Sequence, residues 1–441
     1  MKMRIYSPFV VLGLGLSIGA CGLLDVENPN NLVQSDVENI AAANAAVNGA
    51  QATVIRAWSR MIGSYSTTSD EFTWIGSRDA WLTLNQGNLT DPANEFVDQN
   101  FPYVGEARWM TDEAVRLLEG HFADAPSADL QTDLGRAYLY AGMAYTMIGE
   151  MFDDFALSDR REAAPPIGEA NMNSLLTTAI GYYTSAITNA DAVGDAATSM
   201  AALAMRMRAQ HSLAVWGLLN PAGSVPANPL VDDAGANADA SALIAAADPD
   251  WRYDHTFIAG QLTSDFGGWV NSRQEMQVGE SYATTVAGDL TAIEAFILED
   301  PVDTGAVDPR FLFFMGRFLD APEGFAATTN TGPLAIVSVR MAHLILAEAA
   351  LAGNAGFDFN TSINAVRALD GMTPFAGQIA DQDMLVHERR VNLFLHGQRL
   401  HDHYRFGIPS NNWLPGSDAV NNTGQLFPIT RTEILSNPNI S

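Results

Sequence analysis

The chain has 441 residues, 47% of them hydrophobic, which is enough for one large domain or for two to three smaller ones. Its 51 acids against 23 lysines and arginines leave a formal charge of −28, and a surface of that sign repels phosphate backbones and anionic lipid. Nucleic-acid binding is excluded on that ground, and a single cysteine excludes a disulfide framework.

The amino terminus has the parts of an export signal. Lys2 and Arg4 precede an uncharged apolar run from Phe9 to Ile18, and Gly19 and Ala20 lead into Cys21. A membrane-spanning helix needs about 20 apolar residues, so the run is too short to span. Residues 1–20 are predicted to be a signal peptide, and Cys21, the sole thiol, to be lipidated after cleavage; Ile18 stands where Leu is usual. Two or more acyl chains anchor stably, at about 0.8 kcal/mol per buried CH₂. Cleavage would remove the only lysine, leaving arginine as the sole strong base, the side chain suited to bidentate carboxylate pairing. The acidity is read as solubility of an exported protein. Gly13, Gly15 and Gly19 mimic a nucleotide-binding glycine pattern but have no strand before them and no helix after.

Residues 21–36 read as an extended tether, with Pro29 between asparagines opposing helix. Ser35 and Asp36 are helix N-cap candidates for an Ala-rich helix reaching about Met61. Three segments then show strong helical periodicity. Leu134, Ala137, Tyr138, Ala141, Tyr145, Ile148 and Phe152 share a face, with Gly135 and Gly142 allowing close helix approach. Met200, Leu203, Ala204, Met207, Ala214 and Leu218 form a second stripe, and Leu334, Val337, Met341, Leu344 and Ile345 a third. Shorter helices are predicted over 362–369 and 383–396. Between the second and third stripes, residues 220–332 are rich in Pro, Gly and Asp and read as a loop-rich insertion with short strands; further strand is plausible near 425–430. The fold class expected is mostly α, an α-solenoid-like body with long irregular loops and a few short strands; no clean 34-residue period occurs.

Catalytic motifs are sparse. His387-Glu388 lacks the second histidine of a zinc-protease helix, and no Gly-x-Ser-x-Gly elbow occurs. His401-Asp402-His403 offers metal ligands without a third partner, so no metal or cofactor is predicted. His211 falls on an apolar stripe and reads as a core histidine. Asp70-Glu71 could act as paired glycosidase carboxylates, but with 51 acids such a pair is expected by chance. Glu348 lies seven residues after Met341, on the apolar face, where an unpaired carboxylate is costly; Arg367 on the next helix is its predicted partner.

The carboxy-terminal third carries a series of motifs. These are Arg340-Met341-Ala342-His343-Leu344-Ile345-Leu346-Ala347-Glu348, Ile363-Asn364-Ala365-Val366-Arg367 and Glu388-Arg389-Arg390. Gly397-Gln398-Arg399, Asp402-His403-Tyr404-Arg405-Phe406-Gly407 and Phe427-Pro428-Ile429 to Asn437-Pro438 follow. In this order they resemble the SusD/RagB family, with weaker matches at Asp308-Pro309-Arg310, Arg136, Asp70-Glu71 and Leu24-Asp25. His396 and Asn392 depart from acids common there.

The resemblance implies a single helical domain over 37–441 with tetratricopeptide-like helix pairs. It implies a non-catalytic lipoprotein of the outer membrane facing the cell exterior, capturing a glycan, or a peptide, for a SusC-like TonB-dependent transporter. Trp74, Arg78, Trp81 and Asn85 lie where family members place part of the binding surface, and Trp269 and Tyr282 lie in the divergent loops that supply the rest. Trp and Tyr rings suit the C–H faces of sugars. Two other readings remain open: a surface glycan hydrolase, and a helical-repeat scaffold for outer-membrane assembly.

Overall fold

The structure is a computed structural model that describes residues 39–159, 162–310 and 330–440. The predicted signal peptide, Cys21, the predicted tether and the N-cap candidates Ser35 and Asp36 lie outside the described residues. No helix among the described residues is long and apolar enough to cross a membrane.

The chain opens with α1 (Ala43–Thr68), longer than its Ala-rich stretch suggests, then β1 (Phe72–Trp74) and α2 (Asp79–Asn85). The long helices α3 (Glu95–Asp124), α4 (Ala128–Met151), α5 (Asn173–Val193) and α6 (Ala196–Leu219) follow, stacked as neighbours. Their boundaries follow local chemistry. Asn94, Ser127 and Asp195 cap the starts of α3, α4 and α6, each side chain accepting from a first-turn N–H. Gly194, at φ 75°, ends α5 in the left-handed conformation, so α6 reverses direction after only two residues.

Side-chain size sets the pairing of α4 with α5. A Cβ on Gly142 would lie 2.5 Å from the Tyr183 ring, and one on Gly135 would approach the backbone of Ala190. Gly149 faces Leu176 in the same way. The partners descend as the glycines ascend, so the two helices run antiparallel with their backbones close. These are the tetratricopeptide-like pairs expected.

The stretch 220–332 holds more order than its composition announces. It contains α7 (Ala234–Ala246), capped by Asp233, and the strands β2 (Arg252–His255), β3 (Met276–Val278), β4 (Ala283–Val286) and β5 (Asp289–Phe296). Helix α7 escapes a periodicity search because its buried face is Ala236, Asn237, Asp239, Ala240 and Leu243, with a single large apolar side chain. β1 pairs antiparallel with β3, and β4 with β5.

The third apolar stripe is corrected. Leu334–Ser338 is a strand, β6, antiparallel to β2, and the helix α8 starts only at Val339, with the Ser338 side chain accepting from Met341 N. Pro333 and the branched Ile336 and Val337 favour extension over helix. α9 (Phe359–Leu369), α10 (Asp381–Asn392) and α11 (Arg399–Phe406) then close the body, followed by the short α12 (Asp418–Asn421) and α13 (Arg431–Ser436). α10 stops short of its predicted end because Leu395 and Gly397 adopt positive φ. Near 425–430 the chain forms only a single bridge, Phe427 with Phe152.

Glu348 is fully buried, as its place on the apolar face requires, but its partner is corrected. It pairs with Arg405 of α11, accepts from Val231 N at 3.0 Å and meets His211 Nε2 at 3.0 Å. Arg367 instead holds Asp300 at 2.8 Å and Glu388 at 3.0 Å. Helix adjacency in sequence suggested Arg367; the side chain of Arg405, reaching in from α11, takes that place instead.

Candidate functional site

The motif residues of the carboxy-terminal third turn inward. Arg340 binds Asp250 and Asp370, Arg310 binds Asp308 and Glu388, Arg389 binds Asp402, and Arg399 holds Asp70 at 2.6 Å. These side chains tie α8 to α11 and to the 69–71 turn; they assemble the fold. Burial would raise the Asp70 carboxyl, but Arg399 and His403 outweigh it and hold the group well below the usual range. Among the described residues no cation lies in contact with Glu71. Burial pushes it up to about 7 despite hydrogen bonds from Leu395 N and Ser66 Oγ. Both acids are shielded from solvent, at 4% and 1% exposure, so neither can reach a glycosidic bond.

The histidines disperse. His401 Nδ1 meets the Tyr65 hydroxyl at 2.7 Å, and His403 faces Asp70 and the Ile408 carbonyl. His211 is buried against Glu348, as a core histidine should be. Asp300, Asp308 and His387 do cluster closely enough for a metal ion. However, both oxygens of Asp300 accept from Arg367 and both of Asp308 from Arg310, so two guanidinium groups already supply the positive charge.

The sequence-predicted contacts divide. Trp81 is 1% exposed, its ring stacked on Phe96 with centroids 3.8 Å apart. Tyr282 is sealed beneath the Arg390 guanidinium and against Phe394, and Asn85 is buried beside Asn412. These three are corrected from ligand contacts to support, because the segments bearing them pack into the core. Trp74, Arg78 and Trp269 reach the surface, the tryptophans half-buried and Arg78 exposed.

Two loops far apart in sequence build that surface. The 74–78 turn folds around Glu275: its carboxylate accepts from Ser77 N at 2.8 Å, Arg78 N at 3.1 Å and Ser77 Oγ at 3.0 Å. Gly76 is required, since a Cβ there would lie 2.1 Å from the Glu275 carboxylate. Glu275 N in turn donates to the Trp269 carbonyl, which brings the 268–272 helical turn alongside. Trp269 meets Phe96 and Trp81 edge-on at 4.9 and 5.9 Å, and Arg273 lies over its ring at 4.6 Å. Arg78 pairs with Glu95 at 2.9 Å.

The stripe continues along α1 and α3. Arg60 binds Asp265 at 2.8 Å, Arg56 lies 3.7 Å from the same carboxylate, and the Tyr103 ring lies under both guanidinium groups at 4.0 and 4.4 Å. Sequence reading missed Arg56, Arg60, Phe96, Tyr103, Asp265 and Arg273. The spacing of four between Asp265, Trp269 and Arg273 was a usable signal for part of this set. The arrangement offers aromatic surface, guanidinium donors and a few carboxylate acceptors, which is equipment for binding; none of these groups forms an acid–base pair aimed at a common point.

Another side of α3 borders a separate groove of about 480 Å³, lined by Phe101, Trp109, Phe155, Glu106 and Glu433.

No protein-family model matches the sequence, and no curated protein does. Solved structures do match in shape. A SusD superfamily protein from Bacteroides thetaiotaomicron VPI-5482 aligns over 91% of this chain and 98% of its own, with TM-score 0.62 at 13% identity. A SusD-like carbohydrate-binding protein from Bacteroides fragilis NCTC 9343 aligns over 92% and 99%, with TM-score 0.56 at 14% identity. A laminarin-binding SusD-like protein aligns over 91% and 98%, with TM-score 0.54 at 15% identity. The chain therefore shares the fold of these SusD superfamily structures.

Proposed function

We propose that this chain captures a glycan on the surface formed by Trp74, Arg78, Trp269 and Arg273, and hands it to a TonB-dependent transporter of the outer membrane. The observation that carries the reading is that surface: two loops about 200 residues apart in sequence are locked together by Glu275, presenting aromatic and guanidinium groups to solvent. The fold supports it, since solved neighbours of the same shape are described as carbohydrate-binding. Lipid on Cys21 would keep the protein at the outer membrane, facing the exterior.

Titration of the full chain in detergent against a panel of oligosaccharides tests the capture step. At least one should bind, and Trp74→Ala together with Trp269→Ala should weaken it about tenfold or more. Turnover of a labelled oligosaccharide would instead favour a hydrolase. Affinity purification from the native membrane should bring down a plug-and-barrel transporter; an assembly factor in its place would favour the scaffold reading.

A further inference from the structure

We infer that the glycan taken at this surface is anionic, bearing uronate carboxylates or sulfate esters, and that Arg273 reads the charge. The inference rests on the capture reading above and adds the substrate class.

Arginine is a scarce resource in a chain with 51 acids, and its placement is informative. Among the described residues, sixteen arginines have a carboxylate within 4.0 Å. Arg273 and Arg431 do not. Arg273 is exposed, and its guanidinium lies over the Trp269 ring. That contact holds the guanidinium against the ring, and among the described residues no carboxylate pairs with its N–H groups. A guanidinium edge is matched to a bidentate carboxylate or sulfate.

The backbone beside it is unusual as well. Gln274 has φ 54°, a left-handed conformation that a residue with a side chain seldom adopts. It sits between Arg273 and Glu275, where the chain must turn from the exposed helical turn to the buried carboxylate that organises the 76–78 loop. The strained residue therefore lets Arg273 stay outward while Glu275 goes inward. Arg78, whose N–H donates to that same Glu275, is exposed nearby, and Arg56 and Arg60 continue the basic stripe along α1.

The overall charge of −28 opposes a polyanion at long range. At physiological salt, however, exposed charges more than about 8 Å apart are largely screened, so the groups within a few ångströms of the ligand decide. Arg273 also covers a face of Trp269 that a neutral sugar would otherwise stack on.

The test is calorimetric titration of the full chain in detergent with three probes of similar length: an oligogalacturonide, a sulfated galactan oligosaccharide and a neutral laminari-oligosaccharide. One of the two anionic probes should bind about tenfold or more tighter than the neutral one, which identifies carboxylate or sulfate as the group read. Its affinity should fall on raising NaCl from 50 to 500 mM. Arg273→Gln should lower it about tenfold, with the melting profile unchanged because the side chain is exposed, and Arg273→Lys should restore it only in part. Arg431→Gln should have no effect. If the neutral probe binds as tightly as both anionic ones, or Arg273→Gln keeps full affinity for them, the charge inference is wrong while capture stands. If no carbohydrate binds, both fall.

Discussion

Glu71 carries a clear pH signature. Its buried carboxyl, raised from 4.5 to about 7, accepts from the N–H of Leu395, which is held at φ 60° in the turn between α10 and α11. Because the folded value is the higher one, the native state binds more protons than the unfolded chain between about pH 4.5 and 7. Its contribution to stability is therefore present below pH 4.5, lost as pH rises through that window, and level above it. Buried His401, lowered by burial to about 4, slopes the opposite way, losing stability as pH falls below 6.5, so the total profile hides both. The difference between wild type and Glu71→Gln isolates the acid: the variant should gain on wild type by up to roughly 3 kcal/mol between pH 4.5 and 7. A pH-independent difference in denaturant titrations would refute this. Glu348 behaves in the other sense. Burial alone would raise its carboxyl, but Arg405, His211 and Arg389 hold it far below the usual range. Glu348→Ala leaves buried Arg405 with Asp402 as its remaining carboxylate and takes the acceptor from Val231 N, and should cost about 3–5 kcal/mol. A double-mutant cycle with Arg405→Ala should show coupling above about 1 kcal/mol, whereas one with Arg367→Ala should be additive within about 0.5 kcal/mol.

At the scale of elements, the α4–α5 pair depends on an absent side chain. Gly142→Ala would place a methyl 2.5 Å from the Tyr183 ring, itself fully buried, so the helices must separate; thermal or urea unfolding should show a loss of about 1–3 kcal/mol. Gly181, on the exposed side of α5, has nothing within 4 Å of its virtual Cβ. There alanine should stabilise by roughly 0.5–1 kcal/mol, and equal effects at the two sites would show that helix propensity, not close approach, controls the pair. The same contrast explains what was legible in the sequence. α4 and α6 announce themselves through aromatic and methionine stripes that repeat at helical spacing. α7 does not, because alanine packs without marking a face, and β6 was absorbed into a helical stripe because Leu334 and Val337 are three apart on either reading. The candidate site was half legible: tryptophans in the two loops were visible, but their pairing depends on Glu275 meeting the 76–78 turn across about 200 residues. No local spacing encodes that contact. The burial of Trp81 and Tyr282 was hidden for the same reason, since an aromatic near a site has the same composition whether it lines it or supports it.

At the scale of the whole molecule, the pairing of charges is lopsided. Arg208, Arg310, Arg340, Arg367, Arg399 and Arg405 are nearly or fully buried, each bonded to one or more acids inside the fold. With so many bases internal, the surplus acid sits largely on the surface and repels itself. Salt screens that repulsion over about 10 Å at 0.1 M and 3 Å at 1 M, but barely reaches the buried pairs. Raising NaCl from 10 mM to 0.5 M should therefore increase the melting temperature of the full chain, in contrast to a protein held by exposed ion pairs. A melting temperature that falls with salt would mean that exposed pairs such as Arg78–Glu95 and Arg116–Glu113 dominate stability. The same titration should act in the opposite direction on the proposed ligand face, where Arg273 and its basic neighbours would attract an anionic glycan through exposed charges. Salt that tightens the body would loosen the capture, and the two opposed slopes, measured on one preparation, separate the electrostatics of the fold from those of the site.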